Sequence, residues 1–192
     1  MGQDAQKRRG CEVSFDSGPV SARVNELTGT DKFDYHRYLA NPDKWFVEFL
    51  QKQGLNEEEA MKLKDIFGGI FSALTAPFKG AETELKTAKE TKSVSGIVNA
   101  VGSYVEAAAQ TVEAASKAIK SAGYDIKSED KHAMAKNMVI AAATSGANKL
   151  IDIPGVSEDQ EENFFGALFG GILDVLIKAV VAKNNKENSW KL

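Results

Sequence analysis

The chain has 192 residues, of which 43% are hydrophobic and 27% charged, with a net charge of −3. This mixture excludes wholesale disorder, and the length suits one domain that buries roughly two-thirds of its unfolded surface. The acidic balance argues against nucleic acid, whose phosphates need a basic face, and a single cysteine, Cys11, excludes an internal disulfide or a thiolate metal cluster.

The first thirty residues lack a helical period. Gly2 follows Met1, but Gln6 stands where a myristoylation signal wants Ser or Thr. Lys7-Arg8-Arg9 beside Cys11 reads as a solvated basic tail, with acylation of the thiol at an anionic membrane as the sharper alternative. Val13 and Phe15, then Val20, Ala22 and Val24, alternate with polar residues across Asp16-Ser17-Gly18-Pro19. That pattern predicts a short β-hairpin or an extended N-terminal arm over residues 1–30. With no apolar secretory core there, the protein is expected to be cytoplasmic when made, then peripheral at a membrane or released without a signal peptide.

Helical spacing governs the rest. Asn41 as N-cap with Pro42 at the first helical position opens a helix that places Trp45, Phe46, Phe49 and Leu50 on one face, a core face by the better reading. Gly54 ends it. Asn56 with Glu59 forms a capping box ahead of Met61, Leu63, Ile66, Phe67, Ile70, Phe71 and Leu74, and this helix is expected to stop near Pro77 and Gly80. Residues 81–122 carry the longest helical signal, with a seam of Gly96, Ala100, Gly102, Ala107, Ala109 and Ala114 that predicts close packing on a partner helix. Ser128 is expected to cap a helix reaching about Ile151, and Ser157 with Gln160 repeats the capping box after Pro154-Gly155. The fold class is therefore all-α: one bundle of five or six helices over 31–185 with very apolar central helices, followed by a frayed tail, 186–192.

Asn56–Leu74 and Ser157–Leu176 look like copies of one another. Aligned on Phe67-Gly68-Gly69 and Phe169-Gly170-Gly171, they match with one extra residue in the second. Each passes from a cap through carboxylates (Glu57, Glu58, Glu59; Glu158, Asp159, Glu161, Glu162) into an apolar block. Helix preference does not explain the paired glycines, since each costs roughly 0.5–1 kcal/mol against alanine. These blocks are either core or segments that enter lipid. The candidate membrane-insertion residues are Phe67, Gly68, Gly69, Ile70 and Phe71 in the first block. In the second they are Phe164, Phe165, Gly166, Leu168, Phe169, Gly170, Gly171 and Ile172.

Phe164–Ala182 carries only Asp174 and Lys178 as charges, four apart where they can pair. Its 19 residues sit at the short end of a bilayer span, and each central charge costs roughly 2.5–3.5 kcal/mol to insert, which disfavours a constitutive transmembrane helix. Ile66–Ala76, at 11 residues, is long enough only to lie in an interface or re-enter. Gly166-x-x-x-Gly170 has the small-residue spacing of touching membrane helices and, equally, of soluble helix crossings. An apolar hairpin held soluble behind carboxylates resembles colicin-like helical pore-formers in plan, although no diagnostic motif accompanies it. That plan implies lipid binding or pore formation through residues 56–76 and 157–183, rising as pH falls through roughly 4–5.

Catalytic signatures are missing. His36 and His132 lack metal-ligand spacing, and no nucleophile elbow or phosphate loop is present. The sequence therefore predicts no enzyme, no cofactor and no metal. The alternative to a membrane-active protein is a soluble interaction module that homo-oligomerises or binds a helical protein partner through its Ala/Gly-rich helices. A carrier for a small apolar ligand is a third reading.

Overall fold

A computed structural model describes residues 33–150, 152–188 and 190. The expectations for the N-terminal arm, its hairpin and Cys11 lie outside those residues. Among the described residues six helices follow in order: α1 Tyr35–Ala40, α2 Pro42–Lys52, α3 Glu57–Glu90, α4 Val94–Ser121, α5 Ser128–Ser145 and α6 Glu158–Glu187. The described part is all-helical.

The caps explain most of the boundaries. Asn41 accepts from the Lys44 amide at 3.0 Å, fixing the start of α2 with Pro42 at its first position. Asn56 and Glu59 exchange backbone bonds at 2.9 and 3.2 Å, and Ser157 and Gln160 do the same at 3.4 and 3.1 Å. Both capping boxes satisfy amides that a helix start leaves orphaned. Gly54, Gly123 and Gly155 each adopt a positive φ where the chain turns.

Three boundaries differ from the sequence expectation. α3 passes straight through Pro77 as one 34-residue helix. An interior proline costs about 3 kcal/mol, and the turns beyond it offset this by burying Phe78, Ala81, Leu85 and Ala88. The long signal over 81–122 is accordingly divided at Thr91–Ser93, where Lys92 has φ 52° and Ser93 caps α4 through the Gly96 amide at 3.0 Å. Ser128 is the first residue of α5 and Lys127 its cap, without a side-chain bond, and α5 ends at Ser145 rather than near Ile151.

The centre of the molecule is α4, not either Phe/Gly block. It packs against α3, α5 and α6, and its Ala100, Ala107, Ala108, Ala114, Ala115 and Ala118 are essentially sealed from solvent. Small side chains let three helices approach one axis. At Gly96 the end of α3 comes close: a Cβ there would lie 2.8 Å from that of Ala88, so only glycine fits without a shift. Two core clusters flank α4. One joins Phe46, Phe49, Leu50, Leu63, Phe71 and Ile119; the other joins Tyr35, Tyr38, Phe78, Tyr104, Phe165 and Leu173. Trp45 and Met134 border both clusters, making Trp45 a core residue rather than an anchor.

Candidate functional site

The first block is bedded in the protein. Phe71 is fully buried, its ring stacked on Phe46 with centroids 4.0 Å apart and tilted against Trp45 at 6.0 Å. Gly68 is buried, Phe67 and Ile70 are half-buried, and Gly69 faces solvent. Helices α2 and α4 cover this segment from two sides. Ile66, 68% exposed, is the largest apolar side chain left bare here.

The second block is covered on one side only. α6 rests on α4 and α5 through Phe165, Leu173 and Ile177, each about 1% exposed, with Phe169 half-buried against Phe165. On the opposite side Phe164, Leu168, Ile172 and Val175 are 47%, 57%, 57% and 67% exposed. They recur at helical spacing, interleaved with exposed Ala167, Gly171, Ala179 and Ala182. This bare stripe carries one charge, Lys178, and the 19-residue segment Phe164–Ala182 that bears it runs about 28 Å at 1.5 Å per residue, close to the hydrocarbon thickness of a bilayer.

Among the described residues, α6 is the one helix long and apolar enough to cross a membrane, with a mean hydropathy of 2.0 over its best 18 residues. Only 22% of that window is buried. A core helix of equal hydropathy would be mostly enclosed, so core packing does not account for this composition. The two blocks also do not form the hairpin that the sequence suggested. α3 pairs with α2 and α4, whereas α6 pairs with α4 and α5.

Gly166 and Gly170 turn inward. A Cβ on Gly166 would meet Ile140 Cδ1 at 3.5 Å, and one on Gly170 would meet Lys136 Nζ at 3.2 Å. Their spacing is thus used at the α5–α6 crossing, the soluble use of the motif. Ala167-x-x-x-Gly171 is the small-residue pair that faces out.

Polar contacts fasten α6 at three levels. At its start the buried Glu161 accepts from the Ile153 amide at 2.7 Å and lies 3.5 Å from Lys149 Nζ, which also pairs with Glu158 at 3.0 Å. Near its end Asn184 donates to Glu106 at 3.0 Å. Between them Asp174 pairs across to α5 instead of with Lys178. His132 Nε2 lies 2.8 Å from Asp174 Oδ1, and Lys136 Nζ lies 3.0 and 3.1 Å from its two oxygens. An ionised carboxylate only accepts, so the imidazole carries its proton on Nε2. The His132 and then the Lys136 hydrogen bonds hold the Asp174 carboxyl below the usual carboxylate range, against a smaller opposing effect of burial.

An open groove of about 1160 Å³ lies beside this cluster, floored by Val112, Ile126, Ile177 and Val181 and reached by Trp190. Trp190 Nε1 donates to Asn185 at 3.0 Å. Among the described residues no group of three His, Cys, Asp or Glu side chains is arranged to hold a metal ion. Sequence reasoning named the α6 residues but missed His132 and Lys136 as their partners. His132-x-x-x-Lys136 shares one helical face and was a readable signal, but its facing carboxylate comes from 38 residues away.

No family model matches the chain, and comparisons with curated proteins and with solved structures give no match.

Proposed function

We propose that the protein acts at a lipid membrane, with α6 as the contacting element. The observation that carries this reading is the bare stripe Phe164–Leu168–Ile172–Val175 on a helix of membrane-like hydropathy. Contiguous exposed apolar surface of this kind marks an interaction site in a soluble protein. The first block supports the reading less, because α2 and α4 already satisfy it. A helix lying in the interface needs only this stripe, whereas a spanning or pore-forming helix must also free Phe165, Leu173 and Ile177 from the core.

Self-association is the second reading, favoured by the outward Ala167-x-x-x-Gly171 pair, which would let two α6 helices approach closely. The discriminating experiment is co-flotation and dye release with phosphatidylcholine and phosphatidylcholine/phosphatidylglycerol vesicles at pH 7, 4.5 and 3.5, alongside sedimentation without lipid. Lipid binding that Leu168→Glu with Ile172→Glu abolishes, in a folded monomer, is the expected result. A lipid-indifferent dimer that the same pair dissociates would replace the membrane reading with the second. Phe165 is unsuitable for this test, since a glutamate there reports folding rather than contact.

A further inference from the structure

We propose that His132, Asp174 and Lys136 form the latch that holds α6 in the bundle, so that neutralising Asp174 both frees the helix and makes it acceptable to lipid. The proposal rests on the membrane reading for its purpose, but its geometry stands alone. Asp174 is the only acid between Phe164 and Ala182 and thus the one group in that run with an acidic charge to lose before entry. It sits at the edge of the bare stripe, and both of its oxygens are taken by donors from α5. Gly170, one turn earlier, gives the lysine room: a Cβ there would stand 3.2 and 3.3 Å from Lys136 Nζ and Cε, so the end of that side chain would have to give by a few tenths of an ångström. The inner glycine of the second pair is therefore a slot for the lysine, and the latch is built into the repeated motif.

The other charges around the latch are already engaged or stand off. Lys131 of α5 pairs with Glu113 of α4 at 3.4 Å, and Glu129 lies 3.8 Å from Lys127. Asp125, from the turn before α5, and Lys178 of α6 line the same groove without approaching the Asp174 oxygens. Acid acts on the latch through the Asp174 carboxyl. Protonating Asp174 removes the negative charge that both donors hold and turns one of its oxygens into a donor. A carboxylate depressed in the folded state stabilises the fold above the ordinary carboxylate range and loses that contribution only as pH falls through its lowered value. The latch thus stays shut where free carboxylates begin to neutralise and opens only below the ordinary carboxylate range.

The test is hydrogen exchange of the full chain at pH 7 without lipid, followed by vesicle flotation of the same samples. Asp174→Asn and, separately, Lys136→Met should speed exchange along α6 by roughly fivefold relative to α2 and α3. Lys136→Arg, which keeps the charge, should exchange as wild type. Unchanged α6 exchange in both releasing variants overturns the latch, and so does an increase spread evenly over all helices. Lipid binding tests the other proposal. Releasing variants that float at pH 7 while wild type does not support both. Releasing variants with faster α6 exchange and no affinity for either vesicle leave the latch standing and remove the membrane reading.

Discussion

The two Phe-Gly-Gly segments share a local plan and meet opposite fates. Gly68 and Gly170 occupy matching positions, and each makes room for a charged side chain from the preceding helix, Asp43 Oδ1 at 3.2 Å in one case and Lys136 Nζ at 3.2 Å in the other. One turn on, Ser72 and Asp174 again match. Ser72 donates to Asp43 at 3.4 Å, while Asp174 accepts from Lys136. The buried positions Leu63 and Phe71 correspond to Phe165 and Leu173. What differs is the neighbourhood. Leu74 is 3% exposed, yet its counterpart Leu176 is only half-buried, and Ile172 is bare where Ile70 is half-covered. Apolar density along a helix does not fix how much of it is buried; the number and placement of its neighbours do.

The largest test of that contrast is truncation at the matched core position. Phe71→Ala should remove about 3–5 kcal/mol of global stability, seen as a lower urea midpoint with an unchanged slope, because its cavity opens between α2, α3 and α4. Leu173→Ala should cost about 2–5 kcal/mol, but with exchange rising in α6 before the rest. An identical, uniform loss from both variants would break the distinction between a bedded helix and a docked one.

A smaller effect sharpens the same comparison on the outer faces. Ile66→Glu and Leu168→Glu both replace exposed apolar residues and should each leave stability within about 0.5 kcal/mol of wild type. Only Leu168→Glu should weaken vesicle binding. Equal loss of binding from both would return α3 to the contacting surface.

Much of this arrangement was legible in the sequence, and the parts that were not have a common cause. The capping boxes at Asn56 and Ser157, the Asn41-Pro42 start and the alanines of the α4 seam are local signals, and the helices begin and pack where they point, except at Gly102, which has nothing within 4 Å of a would-be Cβ. Pro77 misled because a local penalty was outweighed by the burial of Phe78 and Leu85, which depends on α4 lying alongside. Asp174 and Lys178 share a face four residues apart, so sequence paired them. His132 and Lys136 compete from another helix with better geometry, and no local rule registers such a competitor. The covering of Phe71 and the bareness of Ile172 belong to the same class, since both are set by which helix packs beside them.

The smallest effects separate the two glycines within each pair. Gly69 and Gly171 have nothing within 4 Å of a would-be Cβ, so Gly69→Ala and Gly171→Ala should each stabilise the protein by about 0.5–1 kcal/mol through helix preference alone. Gly68→Ala should give less, because Asp43 must yield at 3.2 Å, and thermal denaturation of the four single variants would rank them. Gly170→Ala is the informative one. Helix preference pushes its stability up while displacement of Lys136 from Asp174 pushes α6 toward release, so the melting temperature and the α6 exchange rate should rise together. A Gly170→Ala protein that is more stable and exchanges more slowly in α6 would mean that Lys136 reaches Asp174 without the slot. The outer glycines then pose the sharper question, because solvent contact in the bundle gives neither of them a use. If Gly171→Ala gains stability yet loses lipid binding or dimerisation, its use lies in the surface that meets α6 after release.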